Sequence, residues 1–461
     1  MRPLIALIIN SRESVVTNKI DQATQENIQR IFELQRGNRL NLKLSTAEQR
    51  KAKLQKLRDI IVARADEIDE ALHQDLRKQR LGINHYEIQA VLGEIDVALA
   101  GLENWMKPEV VEPTPQLGGK KTYIKYEPRG VCLLFGPWNF PFSLVFSPLV
   151  QIISAGNTCI VKPNEMQPTV SKVSASIISE LFSEADVAVL EGGVPLADAL
   201  LELPVDHIFF TGSPAVGKRI MAAAAKNLST VTLELGGKCP MIVDEACDPT
   251  KIAGMAIGGR FRNAGQLCLS VDHIWLPESM LQAFVQIASA IIDKMFYIDG
   301  ELNKAELSRM VDKRNFHRVK AHLDDALAQG ASIVKGGQCE EDDLTIHPTL
   351  LVNVPLNSSI MQDEIFGPLL PILTYKDRDE IYQQIDKTGK PLAMYIFSDN
   401  DEFVEDVLLN TSSGGVTVNS MMLHYMEKNL PFGGANQSGI GRCKGIYGFK
   451  ELSNSRSVFE A

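Results

Sequence analysis

Helical stripes dominate the first third of this chain, and short apolar runs dominate the rest. Ile88, Val91, Leu92, Ile95, Leu99 and Leu102 recur at helical spacing and predict a helix packed on a sheet. Ser45 and Glu48 have capping-box spacing and predict a helix running to about Leu76. A proline-rich break from Pro108 to Pro115 follows, and Thr122 to Tyr126 then alternates as an exposed strand. From Val131 the pattern changes. Val131–Phe135, Cys159–Val161, Ala188–Leu190, Ile208–Phe210 and Val231–Leu233 are short buried strands, with helices such as 170–181 and 216–225 between them. Strands that alternate with helices in this way imply a parallel, doubly wound α/β sheet, which binds ligands at the carboxyl ends of its strands. A second α/β pattern carries strands at Met241–Val243, Leu369–Thr374, Ala393–Phe397 and Val416–Val418. Helices are expected near 250–262, 281–295 and 402–408. The stretch from Pro431 to Gly448 is rich in glycine and reads as loop.

Composition narrows the function classes. The 461 residues are 45% hydrophobic and 23% charged, which is ordinary for a globular protein and excludes disordered and fibrous classes. The net charge is −10 and the basic residues are scattered, so no nucleic-acid partner is expected; the densest basic stretch, Arg50 to Arg58, reads as the solvated side of a helix. Seven cysteines without Cys-x-x-Cys spacing argue against a disulfide framework or a zinc site, and reduced thiols suit a cytoplasmic location. The eight histidines lack ligand spacing, so no catalytic metal is expected. The N-terminus resembles a weak signal peptide with a short apolar run and no Ala-x-Ala site; about the first twenty residues read as an extension. No segment approaches the ~20 apolar residues of a membrane span.

Four segments could carry chemistry. In Ile208 to Arg219 a strand enters a turn at Gly212-Ser213 and then a helix containing Gly217, which aims backbone N–H groups at an anion. Arg219 stands where a P-loop needs Ser or Thr for magnesium, so the segment reads either as a phosphate-contacting helix start or as a plain strand–helix turn. Glu234 ends an apolar strand before Gly236-Gly237; it is either a general base whose pKa burial raises or a salt-bridged structural carboxylate. A lone cysteine is ordinarily a small core residue, but the polar, glycine-containing approach to Cys268 suits an accessible nucleophile. Asn139, in Pro137-Trp138-Asn139-Phe140-Pro141, is either a turn former or an amide donor for an oxyanion.

Taken in order, seven stretches resemble the aldehyde dehydrogenase superfamily. They are Pro137 to Pro141, Lys162-Pro163-Asn164-Glu165, Phe210 to Ser213, Leu233 to Lys238, Gly265 to Cys268, Glu364-Ile365-Phe366-Gly367-Pro368 and Leu430 to Gly434. The likeness is greatest to the class 3 branch, which includes fatty, aromatic and coniferyl aldehyde dehydrogenases. The resemblance implies two doubly wound α/β domains plus a small strand-rich oligomerisation element. Residues 1–109 and 130–234 would bind NAD(P), 235–420 would form the catalytic domain, and 110–129 with 421–461 the oligomerisation element. It implies Cys268 as nucleophile, Asn139 as oxyanion donor and Glu234 as the base that activates water. Cofactor contacts would come from Trp138, Lys162, Glu165, Gly212, Ser213, Gly217, Leu235, Glu364 and Phe366. NAD is the expected preference with NADP usable, the substrate a medium- or long-chain aliphatic or an aromatic aldehyde, and the assembly a homodimer. The tail departs from the class 3 pattern at Arg442-Cys443-Lys444, where an aromatic or His tends to precede the glycine. A member that passes the acyl group to coenzyme A usually lacks the base at Glu234, and a crystallin-like binding protein could lose nucleophile or base; Cys268, Glu234 and Asn139 are all present.

Overall fold

The computed structural model describes residues 20–461, so the N-terminal extension read from the sequence lies outside the described residues. Three sheets organise the chain. The first runs in the order Gly439–Ile440, Thr230–Glu234, His207–Thr211, Val131–Phe135, Thr158–Lys162, Val187–Val189 and is parallel except at Gly439–Ile440. The order reverses at Val131–Phe135, so the loops after Phe135 and Thr211 diverge around one crevice, where such sheets hold ligands. The second sheet runs Ser332–Lys335, Thr349–Val352, Leu369–Tyr375, His273–Pro277, Pro240–Val243, Ala393–Phe397, Gly415–Val418, with only Ser332–Lys335 antiparallel. A small antiparallel sheet pairs Lys121–Pro128 with Glu109–Val110 and Ser453–Glu460. No helix among the described residues is long and apolar enough to cross a membrane.

The apolar stripe behaves as its spacing requires. Helix Tyr86–Trp105 buries Ile88, Val91, Leu92, Ile95 and Leu102, and Leu99 is partly buried against the same core. It packs on Ser143–Ala155, a helix buried at nearly every position, whose Phe146 and Leu149 join the same core.

Several expectations need correction. The capping box belongs to Thr46 and Gln49 rather than Ser45 and Glu48, and the helix it opens breaks at Arg64, giving Ala47–Ala63 and Ala65–Leu76. Ser45 is drawn away because its hydroxyl serves Arg50, whose Nε donates to it at 2.9 Å. Arg50 itself is buried, not solvated; it donates to the carbonyls of Ser154 at 2.9 Å and Leu42 at 3.2 Å. The glycine-rich tail is not all loop: Gly439–Ile440 adds a strand to the first sheet and Gly445–Glu451 is helical. Thr122–Tyr126 is strand and half-buried to exposed throughout, as its alternation suggests, and it pairs with Ser453–Glu460 on one side and Glu109–Val110 on the other.

Candidate active site

Cys268 sits on a tightly held loop. Helix Pro249–Phe261 ends, and Asn263, Ala264 and Gly265 then all take left-handed backbone, with φ of 50°, 51° and 72°. Two non-glycine residues in succession there carry strain that the surroundings must hold. At Gly265 a Cβ would fall 2.3 Å from the Gly367 carbonyl, so only glycine lets the two loops approach. Gln266 is fully buried and locks the turn: its amide donates to the carbonyls of Asn263 at 3.1 Å and Arg309 at 3.0 Å and accepts from the Val311 N–H at 3.1 Å. Behind Cys268, the Tyr395 hydroxyl donates to the Leu269 carbonyl at 2.6 Å and the Cys239 thiol to the Cys268 carbonyl at 3.3 Å. Cys268 stays partly accessible. Burial pushes its thiol up to about 12, and the carboxylates of Glu364 and Glu234 add to the shift.

The Asn139 loop is pinned to this turn. The Asn139 amide donates to the Gln266 carbonyl at 3.1 Å, and Asn263 donates back to the Asn139 carbonyl at 3.2 Å. An amide carries two N–H bonds, so one remains uncommitted. Beneath the loop lies a fully buried ion pair between Lys78 and Glu87. Lys78 also donates to the Asn139 carbonyl at 2.7 Å, and Glu87 accepts from the Phe142 and Ser143 N–H groups, each at 3.0 Å. One carboxylate thus caps the helix that follows the loop while its partner holds the loop itself. Lys78→Met leaves Glu87 buried and uncompensated, so a loss of about 3–5 kcal/mol is expected in denaturant unfolding. An unchanged unfolding midpoint would sink this account of the loop.

Glu234 ends its strand with both carboxylate oxygens buried and without a hydrogen-bond partner. Burial pushes it up to about 8, only partly offset by the Cys443 thiol and the nearby charges of Arg442 and Lys444. Of the two roles the sequence leaves open, the salt-bridged one has no cation within ion-pair distance among the described residues. Glu364 is also pushed up to about 8 by burial and by Asp272. Its carboxylate lies against Gly236, where a Cβ would meet it at 2.1 Å. The following Phe366 has φ 46° and sets its ring edge-on to Trp138 at 5.2 Å.

The remaining sequence-identified residues fall into two groups. Gly212, Ser213, Gly217 and Leu235 cluster at the crevice. The Gly212 N–H donates to the Glu234 carbonyl at 3.0 Å, Ser213 caps helix Pro214–Ala225, and Leu235 packs on Gly217. Lys162 and Glu165 form a 2.7 Å ion pair farther along the sheet edge. Glu165 lines a cleft of about 270 Å³ with Pro163, Asn164, Ser171, Lys172 and Glu191. The sequence reading missed Lys78, Glu87 and Cys443. A usable signal existed for the first pair: Glu87 and Glu94 fall on the same helical face as Val91, an apolar face where a carboxylate needs a partner.

Comparison with known proteins gives the family. The family model described as "Aldehyde dehydrogenase family" matches residues 6–458. A putative aldehyde dehydrogenase of Bacillus subtilis, AldX, is 42% identical over 95% of this chain and 99% of its own. The human aldehyde dehydrogenase family 3 member B1 is 38% identical over 89% of this chain and 86% of its own. A solved structure described as the substrate-bound state of Staphylococcus aureus AldH superposes with a TM-score of 0.89 at 37% identity, covering 94% of each chain. The chain therefore belongs to the aldehyde dehydrogenase family, with relatives in its class 3 branch.

Proposed function

We propose that this enzyme oxidises aldehydes to carboxylic acids with a nicotinamide cofactor, through a thiohemiacetal and then a thioester on Cys268. The observation that carries the reading is the convergence of a partly accessible thiol, a free amide N–H on the Asn139 loop and an unpaired buried carboxylate at Glu234. In it Cys268 attacks the carbonyl carbon, and the thiol proton passes to a neighbouring base as the C–S bond forms. Asn139 and the Cys268 N–H hold the oxygen that becomes negative. Glu234 later takes a proton from water as that water adds to the thioester; the acid leaves and Cys268 recovers its proton.

The residues present fit a dinucleotide. The cleft at Glu165 offers a carboxylate for ribose hydroxyls, the capped helix start at Ser213 faces the crevice where a diphosphate binds, and the Trp138–Phe366 pair with Glu364 closes the end nearest Cys268. When bound, the nicotinamide supplies the hydride acceptor. Glu165 repels a 2′-phosphate and Lys162, paired with it, partly offsets that repulsion, so NAD is preferred and NADP remains usable. The test is appearance of the reduced cofactor's absorbance with an aldehyde panel and each cofactor. A kcat/KM with NADP above that with NAD would reverse the ordering. Acid formation that requires coenzyme A would favour acyl transfer instead, against which the presence of Glu234 speaks.

Ser453–Glu460 leaves one long side of the small sheet open and exposes most of its residues. Open edges of this kind pair with other chains, and we read it as part of a homodimer contact. Light scattering at micromolar concentration should give twice the chain mass; a fully active monomer would refute the dimer.

A further inference from the structure

Arg262 stands apart from the other arginines near the site. Arg260, two positions earlier, is buried and donates to the Val271 carbonyl at 3.0 Å, the Ser270 hydroxyl at 3.3 Å and the Gly367 carbonyl. Arg318 donates to the carbonyls of Ile365 and Phe366 at 2.8 and 3.2 Å. Both guanidinium groups hold loops together. Arg262 is exposed, and among the described residues its guanidinium makes no hydrogen bond or ion pair. Its one defined contact is with an aromatic face: the guanidinium carbon lies 5.9 Å from the Tyr86 ring centre.

That contact places it. Tyr86 meets Phe140 edge-on at 5.7 Å, and Phe140 directly follows Asn139. Asn263, next to Arg262, is the residue bonded to both the Asn139 and Gln266 carbonyls. Arg262, Tyr86 and Phe140 thus touch in succession, from an exposed guanidinium to the loop that carries Asn139. Met421 closes on the same helix end, its side chain lying against Gly259, one turn before Arg262. The nearest carboxylates on this wall are already engaged. Glu87 is held by Lys78 and two N–H groups, and Asp69 accepts from the N–H groups of Leu81 at 3.2 Å and Gly82 at 2.8 Å. The Lys78 ammonium also lies against both rings, 5.4 Å from the Tyr86 centre and 4.1 Å from the Phe140 centre, but Glu87 compensates it. At the exposed end of this aromatic wall, Arg262 has no hydrogen-bond or ion-pair partner among the described residues.

Resting on the aldehyde-oxidising reading above, we propose that Arg262 is a specificity residue that binds a carboxylate at the far end of the substrate, so that this enzyme prefers ω-oxo acids to neutral aldehydes of the same length. A guanidinium presents a planar fork that matches a carboxylate in two parallel hydrogen bonds, and a ring face beside it fixes the plane of the fork. A neutral tail gains nothing there and must bury the cation's hydration shell to lie along the wall. An aldehyde carrying a carboxylate replaces that shell with matched charge while its methylenes cover Tyr86 and Phe140.

Matched pairs test this in the full-length enzyme: butanal against 4-oxobutanoate, and nonanal against 9-oxononanoate. The wild type is expected to show kcat/KM about 10- to 100-fold higher for the carboxylate member of at least one pair, carried mainly by KM and weakened by added salt. Arg262→Met should bring the ratio within that pair towards one, and Arg262→Lys should keep part of it, because lysine retains the charge but loses the fork. Equal kcat/KM within both pairs for the wild type would overturn the proposal. So would an Arg262→Met variant that lowers both members by the same factor, which is the signature of a structural role. A wild type that oxidises neutral aldehydes without preference leaves the dehydrogenase reading standing; one that oxidises no aldehyde removes both.

Discussion

Cys268→Ala is expected to lower aldehyde oxidation by at least ~10⁴-fold while leaving the crevice proposed for the cofactor intact. Removing the nucleophile from a covalent mechanism removes the intermediate itself, so no adjustment of neighbouring groups restores it. No other thiol can take over. Cys239 is the nearest in the loop network, but it is fully buried, donates to the Cys268 carbonyl and accepts the Ala393 N–H at 3.3 Å. Cys443 is buried on the side of Glu234. The thiol side chain of Cys268 is also absent from the loop's hydrogen-bond framework, which runs through Asn263, Gln266 and Asn139. The variant should therefore fold as the wild type does and still quench its protein fluorescence on adding NAD. Substantial residual oxidation by a folded variant would place the nucleophile elsewhere.

Much of the fold was legible because buried parallel strands are continuous apolar runs. Val131–Phe135 and Ala393–Phe397 have the bounds their sequence suggests, and each is buried at every position. What escaped depends on partners distant in sequence. His273–Pro277 joins the second sheet between Leu369–Tyr375 and Pro240–Val243, yet it carries a histidine and a tryptophan and ends on a proline, so its run is short and unlike its neighbours. Arg50 looks solvated in the sequence because its acceptors, the carbonyls of Ser154 and Leu42, have no local signature. Nor does Ser45 show that its hydroxyl is committed to Arg50 rather than to a helix start.

The candidate site divides along the same line. Its backbone was legible through glycines where an added Cβ would crowd a neighbour: Gly265 against the Gly367 carbonyl, Gly236 against the Glu364 carboxylate, Gly217 against the Leu235 side chain. Those positions leave a pattern in the sequence because a close approach, whatever it meets, shows itself as glycine at the residue. The support beneath the site leaves none. Lys78 and Glu87 are separated by nine positions, and Lys78 acts on Asn139, 61 positions away, through a carbonyl that any residue would offer. Cys443 reaches Glu234 only because Gly439–Ile440 turns the tail back onto the strand that Glu234 ends.

Glu234→Gln should separate the two halves of the reaction. In the proposed mechanism thioester formation needs Cys268, the Asn139 amide and the cofactor, whereas hydrolysis needs a base for water. Glutamine keeps the size and polarity of the side chain but cannot accept that proton. The variant should thus release close to one equivalent of reduced cofactor per site in a burst and then turn over about 100- to 10,000-fold more slowly than the wild type. The pH dependence gives a second, independent readout. Burial holds the Glu234 carboxyl up at about 8, so near neutrality most of it is protonated and cannot serve as base. Raising the pH through 8 removes that proton, and the hydrolytic rate of the wild type should climb roughly tenfold per unit below that value and level off above it. In the glutamine variant the slow phase should lose this limb. Two results would count against the assignment. Steady-state turnover like that of the wild type would mean another group activates the water. Loss of the burst along with the slow phase would mean that Glu234 is needed before hydrolysis, to take the proton of a thiol that burial has pushed up to about 12.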